Sequence, residues 1–333
     1  MKTDLNPDIR TALETIKKHP IKHVYLVACG GSLSIMSPAK YFLDRHSSSL
    51  TSDVYNGDEF VCRQPKHLNE NAMVILCSQT GTTKETVRAA EYANSMGALT
   101  IGMSMDTASP LAQTAQHVLK YDAPYTTGTP IDSADSNYAV LFMLLAGLVD
   151  HFDGEKLVPV LLTSLGNLQA VNEKAQAQLD GKLKDFAERF ADQSVIYTTA
   201  SGAGYGAAYQ FSICVLMEML WINSQAIHAN EFFHGPFEVV DKKANFIVML
   251  GLDETRRLEE RTRDFLFRFG DESRILVLDA KELDLSGIDD HFKGYLVPLV
   301  FFDSLWNFAY KLADLRQHTM LDGRRYMKKL TDY

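Results

Sequence analysis

The chain has 333 residues, 46% of them apolar and 23% charged, with a formal net charge of −9. That is enough for two globular domains or one large one with a full core, and the acid surplus excludes nucleic acid as the main partner, because no basic excess exists to neutralise phosphates. The longest apolar run, Val140–Val149, is too short to span a bilayer, the first residues lack a signal-peptide core, and four cysteines (29, 62, 77, 214) without paired spacing indicate neither zinc ribbon nor disulfide framework; the expected setting is reduced and cytoplasmic, with no membrane partner.

Residues 3–18 read as an amphipathic helix. "HVYLVACGGS" (23–32) is then a short apolar run ending in small residues, followed by a helix to about Arg45. "NAMVILCSQTGTT" (71–83) repeats the plan, with a helix from about Lys84 to Met96 stopped by Gly97 and a further strand in "LTIGM". An apolar helix spans roughly Asn137–His151, and 153–190 is helical in pattern with no clear strand. After it the plan restarts. "SVIYTTASGAG" (194–204) matches the first strand and its turn, "NFIVMLGLDET" (245–255) matches the second strand, and both second strands lead to a helix ended by glycine and another short strand, "RILVL" in the second half. Strands alternating with helices predict parallel sheets covered on both faces, and four matches in one order predict duplicated α/β halves.

Three constellations can carry chemistry. In "CSQTGTT", Ser78, Gln79, Thr80, Thr82 and Thr83 crowd round Gly81 where a helix begins. A helix N-terminus offers unpaired N–H groups and the positive end of a dipole, which suits a phosphate. Helix capping would explain one such residue but not five. Ser32, with Gly30 and Gly31 in the turn after the first strand, can reach the same crevice. The second copy of this loop, "GLDETRR", lacks the cluster, so the two halves are expected to do different jobs.

The second is Glu218, the sole formally charged residue between Asp192 and Glu231, in a helix-like run from Gly206 to Asn230. A lone buried carboxylate costs several kcal/mol unless it is paired or protonated; the alternatives are a structural ion pair with an arginine from elsewhere and a general acid–base. The third is "EFFHGP" (231–236), where Gly235-Pro236 pushes His234 onto a loop and Glu231 can fix its tautomer or face water. His228, Glu231 and His234 form no metal pattern, and His117, His151, His291 and His318 show no grouping and read as surface residues. No metal site is expected.

These segments, "ACGGS", "SQTGTT" and Glu218 sixteen residues before the histidine of "EFFHGP", resemble the sugar isomerase (SIS) family, especially the isomerase half of glutamine–fructose-6-phosphate aminotransferase. The resemblance runs from about residue 20 to the end. It implies an α/β fold of two tandem SIS domains, each a parallel sheet flanked by helices in a flavodoxin-like three-layer sandwich. The expected division is an N-terminal helix (1–19), a phosphate-binding domain (20–152), a helical connection (153–190), a domain carrying the acid–base residues (191–315) and a tail closing on the active site (316–333). By the resemblance the phosphate contacts are Ser32, Ser78, Gln79, Thr80 and Thr83, and the catalytic pair is Glu218 and His234. No glutaminase domain is expected, since the residues before 20 read only as a helix. The end, "GRRYMKKLTDY", and the stretches "ASGAGYGAAY" and "EFFHGPFE" are similar instead to deglycases of 6-phosphorylated Amadori compounds.

That likeness implies hydrolysis of a 6-phosphofructosamine to glucose 6-phosphate and a free amine. His234 would open the ring and protonate nitrogen; Glu218 would move a proton from C1 to C2. Adjacent C=O and C=N groups supply the electron sink, so no cofactor is expected. A homodimer with shared sites is implied, because the related aminotransferase takes its histidine from the neighbouring subunit. Arg324 and Arg325 are candidate contacts for the amine, suited to a carboxylate on it, and Lys328 falls where the aminotransferase has a catalytic lysine. Competing readings are a ketose–aldose isomerase or ammonia-using aminotransferase on the same scaffold, and a non-catalytic phosphosugar sensor.

Overall fold

Predominantly apolar runs suit strands covered on both faces, and such runs, Ala72–Cys77 and Phe246–Leu250 the clearest, lie in sheet interiors. The computed structural model describes residues 2, 4–123, 132–327, 329 and 330. The chain divides into two compact units, Met1–Gln169 with Gly287–Phe292 and Ala170–Ser286 with Lys293–Tyr333.

In the first unit, strands β1 (His23–Ala28), β2 (Thr51–Asn56), β3 (Ala72–Cys77), β4 (Leu99–Ser104) and β5 (His117–Lys120) pair in parallel in the order β2-β1-β3-β4-β5. The order reverses direction between β1 and β3, and Ala28 pairs with Cys77 at their carboxyl ends. The crevice beyond that point is where open parallel sheets receive ligands. One face of the sheet packs Tyr25, Val27, Val74 and Leu76 against Phe60, Ala89, Ala90, Ala93 and Leu111 of the intervening helices. On α1 (Pro7–Ile16) the buried stripe is Ile9, Ala12, Leu13 and Ile16. Leu13 presses on Gly147 so closely that a Cβ there would lie 2.5 Å from its Cδ1. Gly147 belongs to a helix, Asn137–Phe152, in which every residue from Tyr138 to Val149 is buried. Ser136 caps it by accepting from the Ala139 amide.

The segment Leu157–Phe190 is a single helix. In the second unit β6 (Tyr197–Ala200), β7 (Ala226–His228), β8 (Phe246–Leu250) and β9 (Ile275–Asp279) form a parallel sheet of order β7-β6-β8-β9. Its reversal lies between β6 and β8, the first and third strands of this unit, as it does in the first. The expected helix from 206 to 230 is not what forms. A helix, Tyr205–Gln210, widens into a π-helical segment, Phe211–Met219, and stops; β7 occupies the end of the run. Among the described residues no helix is long and apolar enough to cross a membrane.

Candidate active site

In the first unit the candidate residues lie at the reversal point of its sheet, in the loop from Ser78 to Thr83. Its backbone is tied to β4 and to the turn and short helix beyond that strand. Ser78 N–H donates to Met103 O (3.1 Å), Met105 N–H to Gln79 O (3.0 Å) and Leu111 N–H to Gly81 O (3.0 Å). The hydroxyls bond to one another, Ser78 Oγ to Thr83 Oγ1 at 2.8 Å and Thr80 Oγ1 to Thr82 Oγ1 at 2.7 Å. Thr83 directly precedes the helix Lys84–Ser95 yet gives it no side-chain cap bond. Capping is therefore not what holds the Thr83 hydroxyl. A loop of mutually bonded hydroxyls before an uncapped helix start can re-aim its donors at an anion.

Ser32 lies within hydrogen-bond reach of the Cys77 thiol and the Tyr121 hydroxyl, at the end of β3. Burial pushes the Cys77 thiol up to about 11 and raises Tyr121 well above the usual phenol range, so both groups stay neutral. The turn before Ser32 has Gly30 at φ +55°, and Gly31 O accepts from Ser34 Oγ (2.6 Å).

Sequence reading missed two residues here, Ser104 and Ser109. Ser104 Oγ donates to Gln79 O (3.3 Å), and Ser109 caps the following short helix through the Ala112 amide. Gly81 has φ +65°, and a Cβ on it would meet Ser109 Oγ at 1.9 Å and Ser104 Oγ at 2.9 Å. The signal available beforehand was the serine ending an apolar strand and the Ser-Pro shortly after it.

A separate constellation lies in the second unit. In the π-helical segment Leu220 N–H reaches back to Val215 O (3.0 Å), five residues rather than four. Val215, Leu216 and Met219 are buried, whereas Met217 is 45% exposed and the Glu218 side chain 20%. Glu218 is thus not enclosed by an all-apolar helix, and it is paired: Arg324 Nη1 donates to its Oε1 at 3.0 Å. The segment ends at Trp221, whose φ of +57° is costly for a side-chain-bearing residue. Met217, Glu218, Trp221, Asn223, Arg324 and Tyr326 line a cavity of about 720 Å³. His318, expected at the surface, is half-buried instead and bonded through Nε2 to Met219 O (2.8 Å). Arg325 stacks its guanidinium 3.7 Å from the Trp221 ring centre.

His234 ends a single 3₁₀ turn, Glu231–Phe233, and is exposed. Its N–H donates to Glu231 O (2.9 Å), and Gly235 follows at φ +134°. The loop stands on aromatic packing: Phe232, Phe233 and Phe237 each lie 5.7 Å from Phe265. Glu231 is exposed, and its charge acts on His228, partly opposing the burial that lowers that imidazole's proton affinity. Lys328 lies outside the described residues.

At the second sheet's reversal point the chain supplies its own anions. Gly251 N–H donates to Glu259 Oε2 (2.6 Å), Ser201 N–H to Glu259 Oε1 (2.9 Å) and Ala203 N–H to Asp253 Oδ2 (3.0 Å). Gly202 (φ +48°) is required, since a Cβ would sit 2.5 Å from Thr255 Oγ1 and 2.6 Å from Asp253 Oδ2. The "GLDETRR" loop has therefore replaced hydroxyl donors with carboxylate acceptors. Glu259 is 1% exposed; burial, with the nearby Asp253 charge, outweighs the Gly251 and Ser201 donors and pushes it up to about 7 from its ordinary 4.5. A carboxyl raised on folding holds a proton in the folded chain that the unfolded chain has lost. Its contribution is most favourable below pH 4.5 and is lost as pH rises through 7. Unfolding free energy should fall by up to about 3 kcal/mol over that window, and Glu259→Gln should flatten the fall. Urea midpoints at pH 5 and pH 8 for both proteins check this; parallel slopes would refute it.

Fold and loop together define an α/β protein of parallel sheets flanked by helices, with a hydroxyl-rich turn at the reversal point of its first sheet. Residues 19–149 match the SIS domain model. The chain is 47% identical to fructosamine deglycase FrlB of Bacillus subtilis, over 98% of this chain and 97% of the relative. It is 29% identical to the fructoselysine 6-phosphate deglycase of Escherichia coli O157:H7, over 98% and 92%. A crystal structure from Bacillus subtilis, 47% identical, superposes with a TM-score of 0.94 over 98% of both chains. The chain belongs to the sugar isomerase (SIS) family.

Proposed function

We infer that this protein is a fructosamine 6-phosphate deglycase, converting a 6-phosphofructosamine and water to glucose 6-phosphate and a free amine. The observation that carries the reading is 47% identity to a fructosamine deglycase across nearly the whole of both chains. The roles of individual residues are our proposal. The phosphate docks on Ser32, Ser78, Gln79, Thr80 and Thr83, and this remote grip positions the reacting carbons. His234 assists ring opening. Glu218 removes a proton from C1, leaving the enaminol, and a proton returns to C2 to give the C1 aldimine. Water adds at C1 and the amine departs with a proton from His234. The first steps exchange C=O at C2 for C=N at C1, so atoms and electrons balance without an external oxidant.

We further propose that the second unit is a diverged second SIS domain. Its strand order and its glycine turn at φ +48°, beside +55° in the first unit, support this. The exposed position of His234 supports a homodimer in which that imidazole serves a neighbouring copy. A cytoplasmic setting fits the four free cysteines.

The test is release of glucose 6-phosphate, by coupled dehydrogenase assay, from 6-phosphofructose conjugates of lysine, aspartate, asparagine and simple α-amino acids. Equal amounts of sugar phosphate and amine are expected from at least one. In deuterated water the product should carry deuterium at C2. Interconversion of free fructose and glucose 6-phosphates with no conjugate cleaved would instead make it an isomerase.

A further inference from the structure

The tail is fastened to the end of the π-helical segment at three points. His318 Nε2 bonds Met219 O, Arg324 Nη1 bonds Glu218 Oε1, and Arg325 lies over Trp221. The His318 and Trp221 rings are 4.5 Å apart, so the tail's first contact also touches the residue at φ +57° that ends the segment. Arg324 is held from both sides. Its Nε donates to Leu321 O at 2.9 Å, and its side chain is 16% exposed.

We propose that Arg324 is a positioning residue for Glu218, holding one carboxylate oxygen so that the other is free and aimed for proton transfer. The inference rests on the reading of Glu218 as the acid–base group. The geometry is one-sided: Oε1 is taken by Arg324, while among the described residues Oε2 has no hydrogen-bond partner. A single charge-assisted bond fixes the carboxylate without neutralising it by proton transfer, because a guanidinium does not give up its proton. A lysine could reach Glu218, but its compact ammonium lacks the planar fork through which Arg324 donates from Nε to Leu321 O and from Nη1 to Glu218.

Arg324→Ala, assayed on whichever conjugate the enzyme turns over, should lower kcat by about 10- to 100-fold, the loss expected for one hydrogen bond to a charged group. KM should stay within a few-fold. Added guanidinium chloride at non-denaturing concentration should restore part of kcat, and Arg324→Lys should fall between wild type and alanine. A purely structural role would lower the thermal midpoint without guanidinium rescue. Wild-type kcat in folded Arg324→Ala, a loss confined to KM, or a folded variant unresponsive to guanidinium would each overturn the proposal. Glu218→Gln separates the two readings. If it is inactive while Arg324→Ala is fully active, only the positioning role falls; if Glu218→Gln turns over normally, the assignment of Glu218 itself falls.

Discussion

Glu218→Gln should leave a folded protein that still binds fructose 6-phosphate but turns over conjugates about 10²- to 10⁴-fold more slowly, the range of a general acid–base contribution. The amide keeps the size and shape of the carboxylate. Its oxygen can still accept from Arg324, so the ion pair at 3.0 Å becomes a weaker neutral-acceptor bond and the tail contact survives. What the amide cannot do is take a proton from carbon. The stability loss should be small, because Glu218 is one-fifth exposed and its partner retains the Leu321 carbonyl. Thermal midpoint, inhibitor binding and kcat measured on one preparation check all three. Full turnover would remove Glu218 from the mechanism, and loss of fructose 6-phosphate binding would make it a ligand contact instead.

Gly81→Ala should be the most damaging single methyl in the first unit. Two costs add. The left-handed backbone at φ +65° disfavours any side chain by about 1 kcal/mol. The new Cβ would also overlap Ser109 Oγ at 1.9 Å and Ser109 Cβ at 2.4 Å; overpacking of this kind costs about 1–3 kcal/mol where neighbours cannot yield. Ser109 cannot swing away freely, since its hydroxyl caps the next helix. The loop must move, and the Ser78–Thr83 hydroxyl pair moves with it. The expected result is a lower thermal midpoint and a KM raised at least about tenfold, a 1.4 kcal/mol loss of binding, with kcat at saturation less affected. Adding Ser109→Gly should recover part of the KM loss, because the two positions are in contact and their effects cannot be additive. An unchanged KM would mean the loop does not hold the substrate.

The interior strands were legible because parallel strands buried on both faces are predominantly apolar along their length: all six residues of β3 and of β4 are buried, with Thr100 and Ser104 the polar exceptions in β4. The three strands that went unread, β2, β5 and β7, all lie at sheet edges. β2 reads Thr-Ser-Asp-Val-Tyr-Asn with both ends exposed, and β7 has three residues. Neither carries enough apolar signal to stand out from a loop. The end of the Glu218 segment was hidden for a different reason. The apolar run continues through the turn as Trp221 and Ile222, and the residue at positive φ is a tryptophan where glycine or asparagine would have announced a stop. The hydroxyl loop was legible as a local cluster, but Ser104 and Ser109 act on it from another strand and another helix. The pairing of Glu218 with Arg324, 106 residues later, is likewise a product of folding that no local pattern records.

The second sheet's reversal point has a further meaning for ligand traffic. The amides of Ser201, Ala203 and Gly251 are engaged by carboxylates that are part of the same chain. A tethered partner has a fixed effective concentration that dilution does not lower and a passing metabolite does not readily outcompete. Phosphorylated sugars, however abundant, are thus met by a half-molecule whose receptor is satisfied in advance.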